Sequence, residues 1–212
     1  LEFPHLLRLI KGNQFDTVYH EHFSYLSLYT VRKIFKQASL KVWDVDHLPT
    51  HGGSLRIYGC HADDPRKISA SVGESLEEER RYGLQKLPCY KKFQSCADRV
   101  KTDLLNFLIE QKNTGKTVAA YGAAAKGNTL LNYAGVKPDL LPYVCDAAPS
   151  KQGKFLPGSH IPILSQDILR ERRPDVVLIL PWNIAEEVVA QYAYVREWGG
   201  KFAIPIPHFH VI

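Results

Sequence analysis

Gly115 to Gly135 reads "GKTVAAYGAAAKGNTLLNYAG", and this stretch decides the class of fold. "TVAAYG" (Thr117 to Gly122) is a short apolar run bounded by glycines, the pattern of a strand buried on both faces. "AAKGNTLLNYAG" (Ala124 to Gly135) switches to helical spacing and closes on a glycine stop. Only Ala123 lies between them, and the junction from Gly122 to Ala125 is all Gly and Ala. Small side chains there would let a ligand approach the backbone, and a helix N-terminus offers unpaired N–H groups and partial positive charge to an anion. Lys126 adds a full charge. The spacing is neither G-x-G-x-x-G nor G-x-x-x-x-G-K-[ST], so it does not by itself indicate dinucleotide or Walker-type binding. Tight packing of helix on sheet explains the same small residues.

Downstream, strand and helix signals keep alternating, the mark of a parallel sheet covered by helices on both faces. "LPYVCD" reads as a second strand, "SQDILRERR" as a helix entered through Ser165, and "DVVLILP" as a third strand. "IAEEVVAQYAYVREWGG" then reads as one helix with Ile184, Val188, Val189, Tyr192 and Val195 on one side, and "KFAIPIP" as the last strand. The "DAAPSKQGKFLPGSHIPI" segment follows the second strand at the carboxyl edge, where open α/β sheets bind ligands.

Upstream the rhythm differs. "LLRLIKGN" and "TVRKIFKQAS" predict short helices, the second burying Val31, Ile34, Phe35 and Ala38. "LKVWDVDHL" and "SLRIYGCH", joined by "PTHGG", predict a β-hairpin. From Asp64 the pattern becomes polar and helical. A later helix would bury Val100, Leu104, Leu105, Leu108 and Ile109, while Glu77-Glu78-Glu79-Arg80-Arg81 reads as a solvated face of helical ion pairs. The organisation is therefore residues 1–64, a helical connector 65–114, and a Rossmann-like domain 115–212.

Composition narrows the function classes. The 212 residues are 45% hydrophobic with a net charge of +5, and the basic residues are scattered rather than gathered into a stripe. Nucleic acid is disfavoured as a partner, and no apolar run approaches the ~20 residues needed to cross a bilayer. The opening "LEFPHLLRLIKGN" has no signal-peptide pattern, so a soluble cytoplasmic protein is expected. Cys60, Cys89, Cys96 and Cys145 form no C-x-x-C pair, which argues for reduced, mostly buried thiols and against a structural zinc site. Without methionine and with a strand-like "LEF" start, the chain reads as part of something longer.

"YHEHFSY" (Tyr19 to Tyr25) gathers two imidazoles, a carboxylate and two phenols. His20 and His22, at i and i+2, could share a metal, as in a metal-dependent isomerase, but the sequence supplies no third ligand. Proton transfer needs an imidazole, an orienting carboxylate and a hydroxyl to hold an oxyanion, and all are present. Buried aromatics beside solvated histidines remain the plain structural reading.

Taken together, "QFDTVYHEHFSYLSLYTVRKIF", "LPTHGGSLRIY", "GKTVAAYGAAAKGNTLLNY", "FLPGSHIPIL", "VLILPWN" and "REWGGKF" resemble the C-terminal part of the S-adenosylmethionine-dependent sugar C-methyltransferases of deoxysugar pathways. The resemblance spans nearly the whole chain. It implies that residues 1–64 are the tail of a class I methyltransferase domain, helices plus a β-hairpin, and that a zinc-binding domain and the S-adenosylmethionine site precede Leu1. No residue here is assigned to cofactor or metal, and this chain alone is expected to be inactive. The resemblance also implies a nucleotide diphosphate-linked 4-keto-6-deoxysugar as substrate. His22 would be the general base, Glu21 and Tyr19 would position the sugar, and His20, His51, Tyr121, Lys126, Gly127 and Asn128 would line its binding site. A hairpin edge open to a homodimer partner is a further expectation. The rival reading is a free-standing Rossmann-like module, Gly115 to Ile212, that binds a nucleotide or coenzyme A without chemistry.

Overall fold

The computed structural model describes all residues from Leu1 to Ile212. It forms two compact units: Leu1–Gln14 with His20–Cys96, and Phe15–Tyr19 with Ala97–Ile212.

In the first unit, β1 (Glu2–Pro4), β2 (Leu40–Leu48) and β3 (Ser54–His61) make an antiparallel sheet in the order β1-β3-β2. The returning strand of the hairpin thus inserts between β1 and its own partner. A register shift between Val42 and Asp44 puts a bulge at Trp43. Helices α1 (Leu6–Lys11), α2 (Leu28–Gln37) and α3 (Ala70–Tyr82) accompany this sheet. Leu28, Val31, Val42, Val45, Leu55, Ile57 and Val72 form its core. The apolar side of α2 is Leu28, Val31 and Phe35; Ile34 and Ala38, expected inside, are exposed, because the buried stripe is narrower than the run of apolar letters.

Helix α4 (Leu87–Asn113) runs from the first unit's last residues into the second's. It buries Val100, Leu104 and Leu108 as expected, whereas Leu105 is half-buried and Ile109 exposed.

The second unit is a six-stranded sheet in the order β6-β5-β4-β7-β8-β9, parallel except for β9. Its strands are β4 (Val118–Tyr121), β5 (Val144–Asp146), β6 (Ile163–Ser165), β7 (Val176–Ile179), β8 (Lys201–Ile204) and β9 (His210–Val211). Helix α5 (Ala125–Ala134) ends on Gly135 in the left-handed conformation. It packs at Leu180, while α6 (Ile168–Arg172) and α7 (Ala185–Gln191) cover the other face through Leu169, Ala185 and Val188. The expected α/β class, a largely parallel Rossmann-like sheet with helices on both faces, is what the chain forms.

Three local expectations change. Ser165 closes β6 instead of capping a helix, and its hydroxyl bonds Asp167. The single helix expected over Ile184 to Gly200 is α7 flanked by 3-10 turns at Trp182–Ile184 and Ala193–Trp198, with Ile184 exposed. Of the cysteines, only Cys145 is buried, and burial pushes its thiol up to about 12.

Candidate functional site

In an open parallel sheet, ligands gather where the strand order reverses, at the carboxyl ends of the two strands that flank the reversal. Here those strands are β4 and β7: the chain goes on from β4 to β5 and β6 on one side, and from β7 to β8 on the other. Their carboxyl ends deliver Gly122 to Lys126 and Pro181 to Asn183.

These residues form a connected array. The Lys126 ammonium lies 4.6 Å from the centroid of the Trp182 ring and donates to Asn183 Oδ1 at 3.4 Å. The Trp182 indole N–H donates to Asp16 Oδ2 at 2.7 Å. Asp16 belongs to a 3-10 turn, Phe15–Thr17, that folds with the second unit, where Phe15 packs on Tyr133 at 5.2 Å. The Asp16 carboxyl is wholly buried and its Oδ1 has no partner. Burial drives its pKa up to about 6, against the pull of the Trp182 N–H and the Lys126 charge. Burial lowers the pKa of Lys126, which Asp16 partly restores.

The helix start at Ala124 carries no side-chain cap, and the first intrahelical bond is Asn128 N–H to Ala124 O at 3.0 Å. The N–H groups of Ala125, Lys126 and Gly127 therefore have no carbonyl within the helix to bind. Asn128 adds a buried amide oxygen without a donor. The two glycines are used for packing. A Cβ on Gly127 would stand 2.7 Å from Leu180 Cβ, and one on Gly122 would stand 2.5 Å from Pro181 Cδ.

Asp146, at the end of β5, is also committed internally. It accepts from Ala123 N (2.7 Å), Ala148 N (2.9 Å) and Lys151 Nζ (3.0 Å), and these bonds hold it below the usual carboxylate range against the opposing effect of burial. The segment from Asp146 to Ile163 lies stitched down, with Asn132 donating to Pro157 O at 2.9 Å and Lys137 to Gly158 O at 2.6 Å. Tyr121 packs against the α6–α7 cluster, its hydroxyl 3.0 Å from that of Tyr192.

The histidine-rich segment divides between the units. Tyr19, half-buried, folds with the second; His20 to Leu26 fold with the first as an irregular loop. His20 and Glu21 are exposed, and their side chains stand 4.0 Å apart, a spacing that contributes little in open solvent. His22 is half-buried beside Phe23, which is 94% exposed. His51 is exposed, with φ of 55° in the short turn Thr50–Gly52. That turn is tied to the first unit by Gln14 Nε2 on Gly52 O (2.8 Å) and His5 N on Gly53 O (3.0 Å). Sequence reasoning missed Asp16, Trp182 and Asn183, although "QFD" and "PWN" lie within segments that carry the family resemblance.

Residues 49–207 match the family model described as C-methyltransferase C-terminal domain. The chain belongs to the C-methyltransferase family, as its C-terminal part. It is 39% identical to "C-methyltransferase NovU" of Streptomyces niveus over 212 residues, which is 100% of this chain and 50% of that protein. The chain therefore spans about half the length of the curated relative it matches. Methyltransferases of this kind imply S-adenosylmethionine as donor, and the glycines at the sheet's reversal point offer it no backbone approach. The backbone approach that Gly122 and Gly127 would permit is filled by Pro181 and Leu180, and Asp146 already accepts three internal hydrogen bonds. No helix of this C-methyltransferase chain is long and apolar enough to cross a membrane.

Proposed function

We propose that this chain is the carboxyl-terminal half of an S-adenosylmethionine-dependent enzyme that methylates carbon on a nucleotide diphosphate-linked 4-keto-6-deoxysugar. S-adenosylmethionine supplies the methyl group from a site outside this chain, as would any zinc-binding domain lie outside it. What this chain contributes is the base and the grip on the substrate. The observation that carries the reading is a half-buried imidazole, His22, on a loop that also presents Glu21 and His20, within a chain matched end to end by a C-methyltransferase.

Proton loss beside a ketone is feasible because charge moves onto the carbonyl oxygen, and an imidazole can accept that proton near neutral pH. His22 takes the proton. Glu21 and Tyr19 orient the sugar and steady the enolate oxygen, with His20 and His51 as further contacts. The uncapped start of α5 with Lys126, Gly127 and Asn128 receives the diphosphate, a reading that rests on free N–H groups and a cation at the sheet's reversal point. Tyr121, bonded on the α6–α7 side, supports the strand end behind them.

The decisive test is His22→Ala in the full-length protein. Methyl transfer should fall about 100- to 10,000-fold with nucleotide-sugar affinity nearly unchanged; activity within about tenfold of wild type would remove His22 as the base. A free-standing module binding a nucleotide or coenzyme A is the second reading, favoured by the open start of α5. It would show nucleotide binding by the 212-residue chain and no methyl transfer in any longer form. We also propose pairing of two copies through the first unit's sheet, where β1 and β2 are edges. The protein is read as cytoplasmic.

A further inference from the structure

Glu79 stands in the middle of Glu77-Glu78-Glu79-Arg80-Arg81, yet it alone of the three glutamates is wholly buried. Glu77 pairs with Arg80 and Arg81, and Glu78 with Lys11 and Arg8, as an exposed helix face should. Glu79 instead points inward, and its two oxygens take three donors. Oε1 accepts from Leu28 N at 2.6 Å and lies 2.8 Å from His5 Nε2; Oε2 accepts from Tyr29 N at 3.0 Å. Ser27 Oγ accepts from Thr30 N at 3.1 Å. The first N–H groups of α2 are thereby all satisfied, two of them by a carboxylate from α3. A buried carboxylate is tolerated only when donors and positive potential surround it, and the positive end of α2 with these donors provides both.

What this carboxylate fixes is the downstream stem of the loop that carries His22. Leu28 and Tyr29 are the first helical residues after that loop. His5, the third partner, sits where Leu6 N donates to Leu26 O at 3.0 Å and where His5 N donates to Gly53 O at 3.0 Å. One buried side chain thus pins the loop's exit, the start of α1 and the turn that bears His51. Ser27 alone would cap the helix; it would not tie the helix start to His5.

We infer that Glu79 is a positioning residue for His22, setting where the base stands without touching substrate. This rests on the reading of His22 as the base. Glu79→Gln is the sharp test, because an amide cannot serve both roles. With its oxygen in place of Oε1, its NH2 faces Tyr29 N–H; with the oxygen in place of Oε2, the NH2 faces Leu28 N–H.

In the full-length protein, the proton step is read by exchange of deuterium from D2O into the carbon beside the ketone, alongside kcat, KM and melting temperature. Glu79→Gln should lower exchange and kcat together by about 10- to 100-fold, with KM for the nucleotide sugar within about twofold. Ser27→Ala removes the other cap of α2 and should lower melting temperature while leaving kcat within about twofold. If Glu79→Gln keeps wild-type exchange, or if both variants lose kcat only in proportion to stability, the inference is overturned. Should Glu79→Gln not fold, Glu79→Asp is read in the same way, with an expected loss of about 3- to 10-fold and wild-type kcat overturning the idea. His22→Ala in the same assay separates the two levels. Exchange surviving in it overturns the base reading and this inference together, whereas exchange lost in it but intact in Glu79→Gln overturns this inference alone.

Discussion

At the scale of single residues, the molecule holds a carboxyl group where it is poorly solvated. Asp16 has a folded-state pKa of about 6, above its unfolded value of 3.8, so its contribution to the fold is complete below pH 3.8 and is lost as pH rises through 6. A shift of that size corresponds to about 3 kcal/mol at most. Asp16→Asn keeps an acceptor for the Trp182 indole and cannot ionise. Thermal or denaturant unfolding at pH 3.5 and 7.5 should show the stability difference, variant minus wild type, moving in the variant's favour by about 1–3 kcal/mol between the two; no change would mean Asp16 does not ionise as described. Sequence reading passed over Asp16 because "FDT" has no periodic signal. It misread Glu79 for a different reason: a run of charges hides which one points inward. The clue was there, since Val72, Ser75 and Glu79 fall at i, i+3 and i+7, the spacing of one helix face, and all are buried. What no local pattern could reveal was the partner, the start of a helix some fifty residues earlier.

At the scale of elements, most of the fold was legible. The hairpin β2–β3, helix α5 with its glycine stop, and strands β4, β5, β7 and β8 all stand where apolar runs and glycines put them. What escaped was short or held together by distant pairing. β6 has 3 residues and β9 has 2, and each exists because a neighbouring strand offers its edge. The single helix expected after β7 breaks at Tyr192, and the 3-10 turn that follows keeps Val195 buried beside it. The glycines of "YGAAAKGN" allowed either ligand approach or packing, and the close approach of Pro181 and Leu180 gives them a packing role. Gly127→Ala should accordingly destabilise by about 1–3 kcal/mol in urea unfolding despite the better helix propensity of alanine, because Leu180 Cβ cannot retreat. A neutral or stabilised variant would show that α5 can lift off the sheet without cost.

At the scale of the whole molecule, the sequence conveyed the class and the family. Pairing of two copies through the first unit's sheet edge predicts a dimer mass by light scattering at micromolar concentration, and a monomer there would remove it. The division into units runs through "FDTVYHEH" itself: Phe15–Tyr19 belong with Ala97–Ile212, and the residues on either side of them do not. No single cut in the polypeptide therefore yields both units intact. A chimera that exchanged everything after Cys96 for the corresponding region of a relative would replace Trp182 while keeping the Asp16 that it bonds. Grafting of this lobe between homologues must carry the five-residue insert along, or else inherit one whose side chains already match.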